Sequence, residues 1–368
     1  MNSDRREFFQ RALAAGALYG SAQMKAAQAA SLGIPGPWPG RVVQVHDPSS
    51  VAQFKPNREA IRRMLAKGMM ELTGAPDSPS AWRAIFDSAD VVGLKLNPVG
   101  RPHVISSPEM VQEIIAGLES AGVKRTNIIA YDRYKREFLQ AGFDKWLPEG
   151  VRWTYGTDQP HPLQLDMDMY DAKEYVELPL VLPRADAANP HHRRSYLAKF
   201  ITQDVTKMVN LALLKHHQSA GVTVALKNLS HGLVNNVSRS HSTPTLNTCG
   251  TFIPSIVDHP IIRKKSVINI LDGLVGGYHG GPGGKIGKYM WEHKTMYFST
   301  DPVAMDKIAW KAIDAQRAAS GMKTIAEGKP DPDSTFLNMQ VEHIEIAGAL
   351  GLGVYQDQKI DLRKFDLA

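Results

Sequence analysis

The chain has 368 residues, 43% hydrophobic and 22% charged, with a formal net charge of +6. That length and balance suit a globular core and exclude a disordered chain. The basic residues lie in short clusters, without the basic–aromatic face that a nucleic-acid binder needs. Cys249 is the single cysteine, which excludes an internal disulfide and an iron–sulfur cluster held by thiolates of this chain alone.

In chain order, residues 1–30 read as a twin-arginine-type export signal. Arg5 and Arg6 are adjacent, Phe8 follows, a mildly apolar run covers 12–22, and Ala27 and Ala29 form an A-x-A site. The apolar run is far short of the ~20 residues that span a bilayer, and no other segment approaches that length, so no transmembrane segment is expected. The mature protein is expected in the periplasm or otherwise exported. The twin-arginine route carries folded cargo, often loaded with a cofactor, so it favours a bound cofactor or metal ion without naming one. Residues 31–40, "SLGIPGPWPG", read as a linker.

From residue 41 onward, strands and helices alternate. "RVVQVHD", "VVGLKLN" and "NIIAYD" read as strands over 41–47, 91–97 and 127–132. Helical spacing covers 57–72 with Asn57 as cap, 80–87, 107–121 with Ser107 as cap, and 135–141. Residues 159–190 are rich in Pro and Asp and read as an irregular insertion or cap. Further strands follow at 208–214, 266–273 and 294–300, and a helix begins within 221–229. Helices cover 301–319, with Asp301 as cap and Pro302 at the first position, and 338–349. The pattern is α/β: a largely parallel or mixed central sheet with flanking helices over 41–368, open to division into two lobes near residue 190.

The strand ends carry the chemistry. Lys95 and Asn97 end one strand, Asp132 another, Lys215 with His216 and His217 a third, Asp272 and Asp301 two more. In open α/β sheets, ligands bind beyond the carboxyl ends of strands, so these groups predict one polar cleft. Lys95, Asn97, Lys215 and Asn228 are its candidate ligand-binding residues, suited to a small anion such as a carboxylate or phosphate. His217, Lys227 and Asp272 are the candidate catalytic groups, with His217 poised as a general acid or base. His217, His241 and Asp272 form a candidate metal set of two imidazoles and a carboxylate. Strand alternation turns His216 away from His217. Asp306 faces either the cleft or solvent. "GGYHGGPGGKIG", residues 276–287, lacks the Ser or Thr of a P-loop and reads as a mobile loop over the cleft. No G-x-S-x-G elbow supports a serine hydrolase.

These motifs resemble the domain-of-unknown-function 362 family. Its recurring features stand here as "KLN" (95–97), "KHH…TVALKNLSHG" (215–232), His241 in "SRSHS", "DGLVGGYHGGPGG" (272–284), "TDPVAMD" (300–306) and "HIEIAGALGLG" (343–353). The resemblance spans residues 91–353. It implies no established activity. Some members carry a fused ferredoxin-like module with two cysteine-rich motifs; this chain lacks one, so a redox role implies a separate redox protein as partner or a non-thiolate cofactor. The expected function is an enzyme, or a redox or metal accessory, acting on a small anionic ligand. The alternative is a non-catalytic periplasmic binding or interaction protein.

Overall fold

The computed structural model describes residues 32–159, 161–183, 185–327 and 334–368. The export-signal reading of residues 1–30 lies outside them. Strand β1 (Arg41–His46) leads into a short hairpin of β2 (Val51–Ala52) and β3 (Lys55–Pro56), then β4 (Val92–Lys95), β5 (Ile128–Tyr134) and β6 (Arg152–Thr157). A two-stranded ribbon of β7 (Tyr170–Glu177) and β8 (Arg194–Ala198) precedes β9 (Lys207–His217) and β10 (Gly221–Thr223). The chain closes with β11 (Ser266–Gly277), β12 (Met290–Ser299) and β13 (Asp361–Asp366).

Nine strands form one mixed sheet in the order β13–β1–β12–β11–β9–β4–β5–β6, with β10 paired to the end of β9. The run β11, β9, β4, β5, β6 is parallel, while β12 is antiparallel to both β11 and β1. This is the expected α/β class with a mixed sheet. No lobe boundary falls near 190, because β9 lies between β4 and β11 and joins the two halves edge to edge.

Helices cover both faces. In β9, Val209 and Leu211 face one core, and Met208, Ala212 and Leu214 face the other, which is why "MVNLALL" reads as a continuous apolar run. On the first face the helix Arg58–Thr73 buries Ile61, Met64, Leu65, Met69 and Leu72, one stripe at helical spacing. Asn57 caps it by accepting from the Glu59 N–H, and Gly74 closes it in the left-handed region at φ 77°. The helix Pro108–Ser120 packs beside it. The second face is covered by the helices Ala225–Leu233, Cys249–Val257, Pro302–Ala319 and His343–Ala349.

Residues 32–40 are packed on the body and are no free linker: Ile34 is buried, and its N–H donates to the Arg263 carbonyl at 2.8 Å. The irregular reading of 159–190 misses β7. Also missed are β6, an edge strand whose first residues are exposed and so show no alternation, and the helix Cys249–Val257, which contains Pro254. Among the described residues no helix is long and apolar enough to cross a membrane.

Candidate functional site

A cleft of about 230 Å³ opens beyond the carboxyl ends of β4, β5 and β9, under the helix Ala225–Leu233. Lys95, Asn97, Lys215, His217, Lys227, Asn228 and His241 all line it. Asp132, Arg133, Tyr134, Gln164, Thr223 and His231 join them.

Its floor is a chain of amides. The Lys215 ammonium donates to Asn97 Oδ1 at 2.9 Å, and Asn97 Nδ2 donates to Asn228 Oδ1 at 3.0 Å. Asn228 Nδ2 donates to Asn210 Oδ1 at 2.7 Å, and Asn210 Nδ2 to Asn269 Oδ1 at 2.8 Å. Asn269 ends the chain on the carbonyls of Ser299 and Thr300. Parallel register places Asn210 beside Asn269 on β9 and β11. Every amide points the same way, with its oxygen toward the lysine, so the dipoles add and support the buried charge. Lys95 is held as firmly: it pairs with Asp132 at 2.7 Å and donates to Asn228 Oδ1 and the Leu96 carbonyl. Lys215 also donates to the Val99 carbonyl.

Lys227 differs. The residue is 5% exposed, yet its side chain makes no hydrogen bond or ion pair among the described residues. Burial pushes its pKa down to about 8; nearby Cys249 opposes the shift and Arg133 adds to it. Burial likewise brings Lys215 down to about 7, with Asp132 and Glu137 opposing and Lys95 and Lys227 adding. Four cationic side chains (Lys95, Arg133, Lys215 and Lys227) line the cleft against the one carboxylate of Asp132.

His217 Nδ1 accepts from the backbone N–H groups of Ser219 at 3.2 Å and Ala220 at 3.3 Å, and lies 2.9 Å from the Ser219 hydroxyl. A backbone N–H can only donate, so the proton of the neutral ring sits on Nε2. His217 is therefore a hydrogen-bond donor. As a metal ligand it would have to surrender that proton, which its two backbone donors oppose. Burial first, then Lys227, pushes His217, His231 and His241 well below the usual imidazole range, so all three are neutral at pH 7. The His241 ring stands 5.4 Å from that of His217 and 5.1 Å from that of His231. His216 points away as alternation requires, with Nε2 3.2 Å from Met339 Sδ.

Asp272 is not in this cleft. It pairs in register with Leu213 and therefore sits on that residue's face of the sheet, in a separate recess with His103, Ser107 and Glu109. There it accepts from the Ser107 N–H at 3.2 Å and hydroxyl at 3.0 Å. Asp272 thus takes over the start of the helix Pro108–Ser120, whose Ser107 makes no side-chain cap bond. Its candidate roles as catalytic group and as metal ligand with His217 and His241 are corrected accordingly.

Asp301 and Asp306 also serve backbone. Asp301 caps its helix through the N–H groups of Val303 and Ala304, and accepts from Gly40 and Val354. Asp306 faces neither cleft nor solvent: it is fully buried and accepts from the N–H groups of Ala225 at 2.7 Å and Leu226 at 3.1 Å. The glycine-rich segment reaches the cleft through Pro282. Gly281 lies against the His216 carbonyl, too close for any Cβ.

The family model described as "Domain of unknown function (DUF362)" matches residues 92–311, more than half of the chain. The chain belongs to the DUF362 family. The matched stretch contains every cleft residue named above, so the cleft is a feature of the DUF362 domain itself. No curated protein matches. A protein of Thermotoga maritima, solved by the Northeast Structural Genomics Consortium, superposes with a TM-score of 0.38 at 11% identity over 60% of this chain. The alignment spans about half of that structure, 51% of its chain.

Sequence reasoning missed Asn210, Asn269, Arg133, Gln164, His231 and Cys249. The asparagines had a readable signal: each is a lone amide in an otherwise apolar strand. His231 lies four residues after Lys227, on the same helical face. Gln164 comes from an irregular segment and carries no local signal.

Proposed function

We propose that this protein binds a small anionic molecule, of the carboxylate or phosphate class, in the cleft and acts on it by proton transfer. The observation that carries the reading is Lys227: a residue 5% exposed whose ammonium faces the cleft with no partner among the described residues, where cations outnumber the one carboxylate. A buried unpaired charge is costly, and an anionic ligand supplies the missing partner. The neighbouring Nε2–H of His217 suits a donor to the ligand. Lys215, brought to about 7, suits proton exchange near neutrality. Lys95, Asn97 and Asn228 spend their hydrogen bonds on one another and hold the floor in place.

Calorimetric titration with inorganic phosphate, malate and citrate tests the reading. At least one should bind to the native protein, and Lys227→Ala should weaken it by about 1.5–3 kcal/mol, as for a hydrogen bond to a charged group. A change within about 0.5 kcal/mol, as for an ordinary surface substitution, overturns it. Binding without turnover would favour the non-catalytic alternative. We also propose, from the arginine pair and its apolar run, that the protein is exported by the twin-arginine route.

A further inference from the structure

At the inner wall of the cleft, the histidines meet the one cysteine. His231, His241 and Cys249 each place a donor atom within 4.8 Å of the other two. They come from the helix Ala225–Leu233, the turn after Ser238–Ser240, and the first position of the helix Cys249–Val257. Packing holds them there. The Ser240 hydroxyl lies 2.9 Å from His231 Nε2 and 2.6 Å from His241 Nδ1, so it ties the two rings together. Phe252 sits 5.1 Å from the His231 ring, and Phe336 6.0 Å from the His241 ring. Cys249 is fully buried, 3.6 Å from the Ser219 hydroxyl.

Two imidazoles and a thiolate are the donors of a borderline-soft transition metal; calcium and magnesium require oxygen ligands, which this set lacks. His231 and His241 line the cleft and Cys249 lies behind them. An ion here could enter through the cleft and would keep its remaining coordination position on that side. We propose that His231, His241 and Cys249 bind one zinc-class divalent metal ion at the inner wall of the cleft. Binding exchanges the thiol proton for the ion, M²⁺ + Cys–SH → (M–S–Cys)⁺ + H⁺, and that proton leaves to solvent. The bound ion retains a net positive charge, which adds to the pull of Lys227 on an anion.

The site stands apart from the anion reading, and one experiment separates them. The purified full-length protein, stripped with a chelator, is titrated with Co²⁺ and then with competing Zn²⁺. One equivalent of Co²⁺ should bind with a near-ultraviolet sulfur-to-cobalt charge-transfer band that Zn²⁺ abolishes. Cys249→Ser should lose the band and bind at least about 10–100-fold more weakly, since even outer-shell changes cost that much. His241→Ala, which leaves the cysteine in place, repeats the affinity test should the cysteine variant misfold. Asp272→Asn should retain band and affinity, and Lys227→Ala should still bind Co²⁺ whatever becomes of the anion. No stoichiometric binding, an unchanged band in Cys249→Ser, or loss of binding in Asp272→Asn would overturn the proposal.

Discussion

Lys227 concentrates the tension between stability and binding. The residue is 5% exposed and its ammonium opens on the cleft without a partner among the described residues, so Lys227→Met should raise the free energy of unfolding by up to about 1–3 kcal/mol, the cost of a polar group left unsatisfied, while anion affinity falls. Urea unfolding and calorimetry on one preparation measure both, and a variant less stable than wild type refutes the assignment. The pH dependence follows from the same groups. Lys215 and Lys227 titrate near 7 and 8, below the ordinary lysine value of 10.5. Below about pH 7 both are charged and affinity is at its plateau. Above about pH 8 the anion must draw protons onto them, so affinity should fall by up to about tenfold per pH unit for each lysine. The stability contribution runs the opposite way. Between pH 7 and 10.5 the unfolded chain keeps a Lys215 proton that the folded one has lost, so this term rises with pH. Affinity that is flat from pH 6 to 9 would exclude both lysines from the binding step. Gly232 supplies a steric probe of the floor. A Cβ there would run into Lys95 Cε, and Lys95 is pinned to Asp132. Gly232→Ala should displace the lysine and weaken anion binding, measured by titration with the same probes.

At the scale of the element, the helix Ala225–Leu233 carries Lys227, Asn228 and His231 into the cleft, yet its own cap residue, Val224, has no side-chain oxygen to offer. Asp306, projecting from the helix Pro302–Ala319, accepts its first two N–H groups instead. One helix is thereby fixed in rotation by a carboxylate on another. Asp306→Ala should cost about 2–5 kcal/mol, since it strands two buried donors, and should lower anion affinity by loosening the helix; Asp306→Asn, which keeps one acceptor oxygen, should lose less. Equal losses in the two variants by chemical denaturation would show that bulk packing, not the carboxylate, holds the helix. The amide chain behaves likewise as a unit. Removing Asn210 takes the donor from Asn269 Oδ1 and leaves Asn228 Nδ2 with only the Leu211 carbonyl at 3.3 Å, so its substitution should be far from additive with theirs.

At the scale of the whole molecule, one sheet carries both halves of the chain, and the cleft forms where strands from each half end side by side. Lys95 and Asp132 come from the first half, Lys215 and the helix Ala225–Leu233 from the second. Neither half holds a complete cleft. The export proposal also belongs here: replacing Arg5 and Arg6 together by Lys should leave the full-length precursor in the cytoplasm. Cell fractionation and blotting decide it, and normal delivery of that variant would refute the twin-arginine assignment.

The sequence alone determined the α/β class, because continuous apolar runs between helical stripes admit few other arrangements. It also identified most of the cleft wall. Lys95, Asn97, Lys215, His217, Lys227 and Asn228 stand at strand ends or on one short helix, and local rules place them. Asn57 and Asp301 were legible as caps for the same reason: a cap acts within three residues of itself. What the tertiary structure decided was the long-range partnering. Asp272 ends an apolar strand just as Lys215 does, but tertiary packing places it in a separate recess and gives its carboxylate to Ser107, 165 positions away in sequence. Asp306 finds its N–H partners 81 and 80 positions away, and Cys249 lies close to His231 only because two helices cross there. Side-chain period along a strand is written locally, whereas the face that a strand turns toward a given helix depends on pairings across the whole sheet.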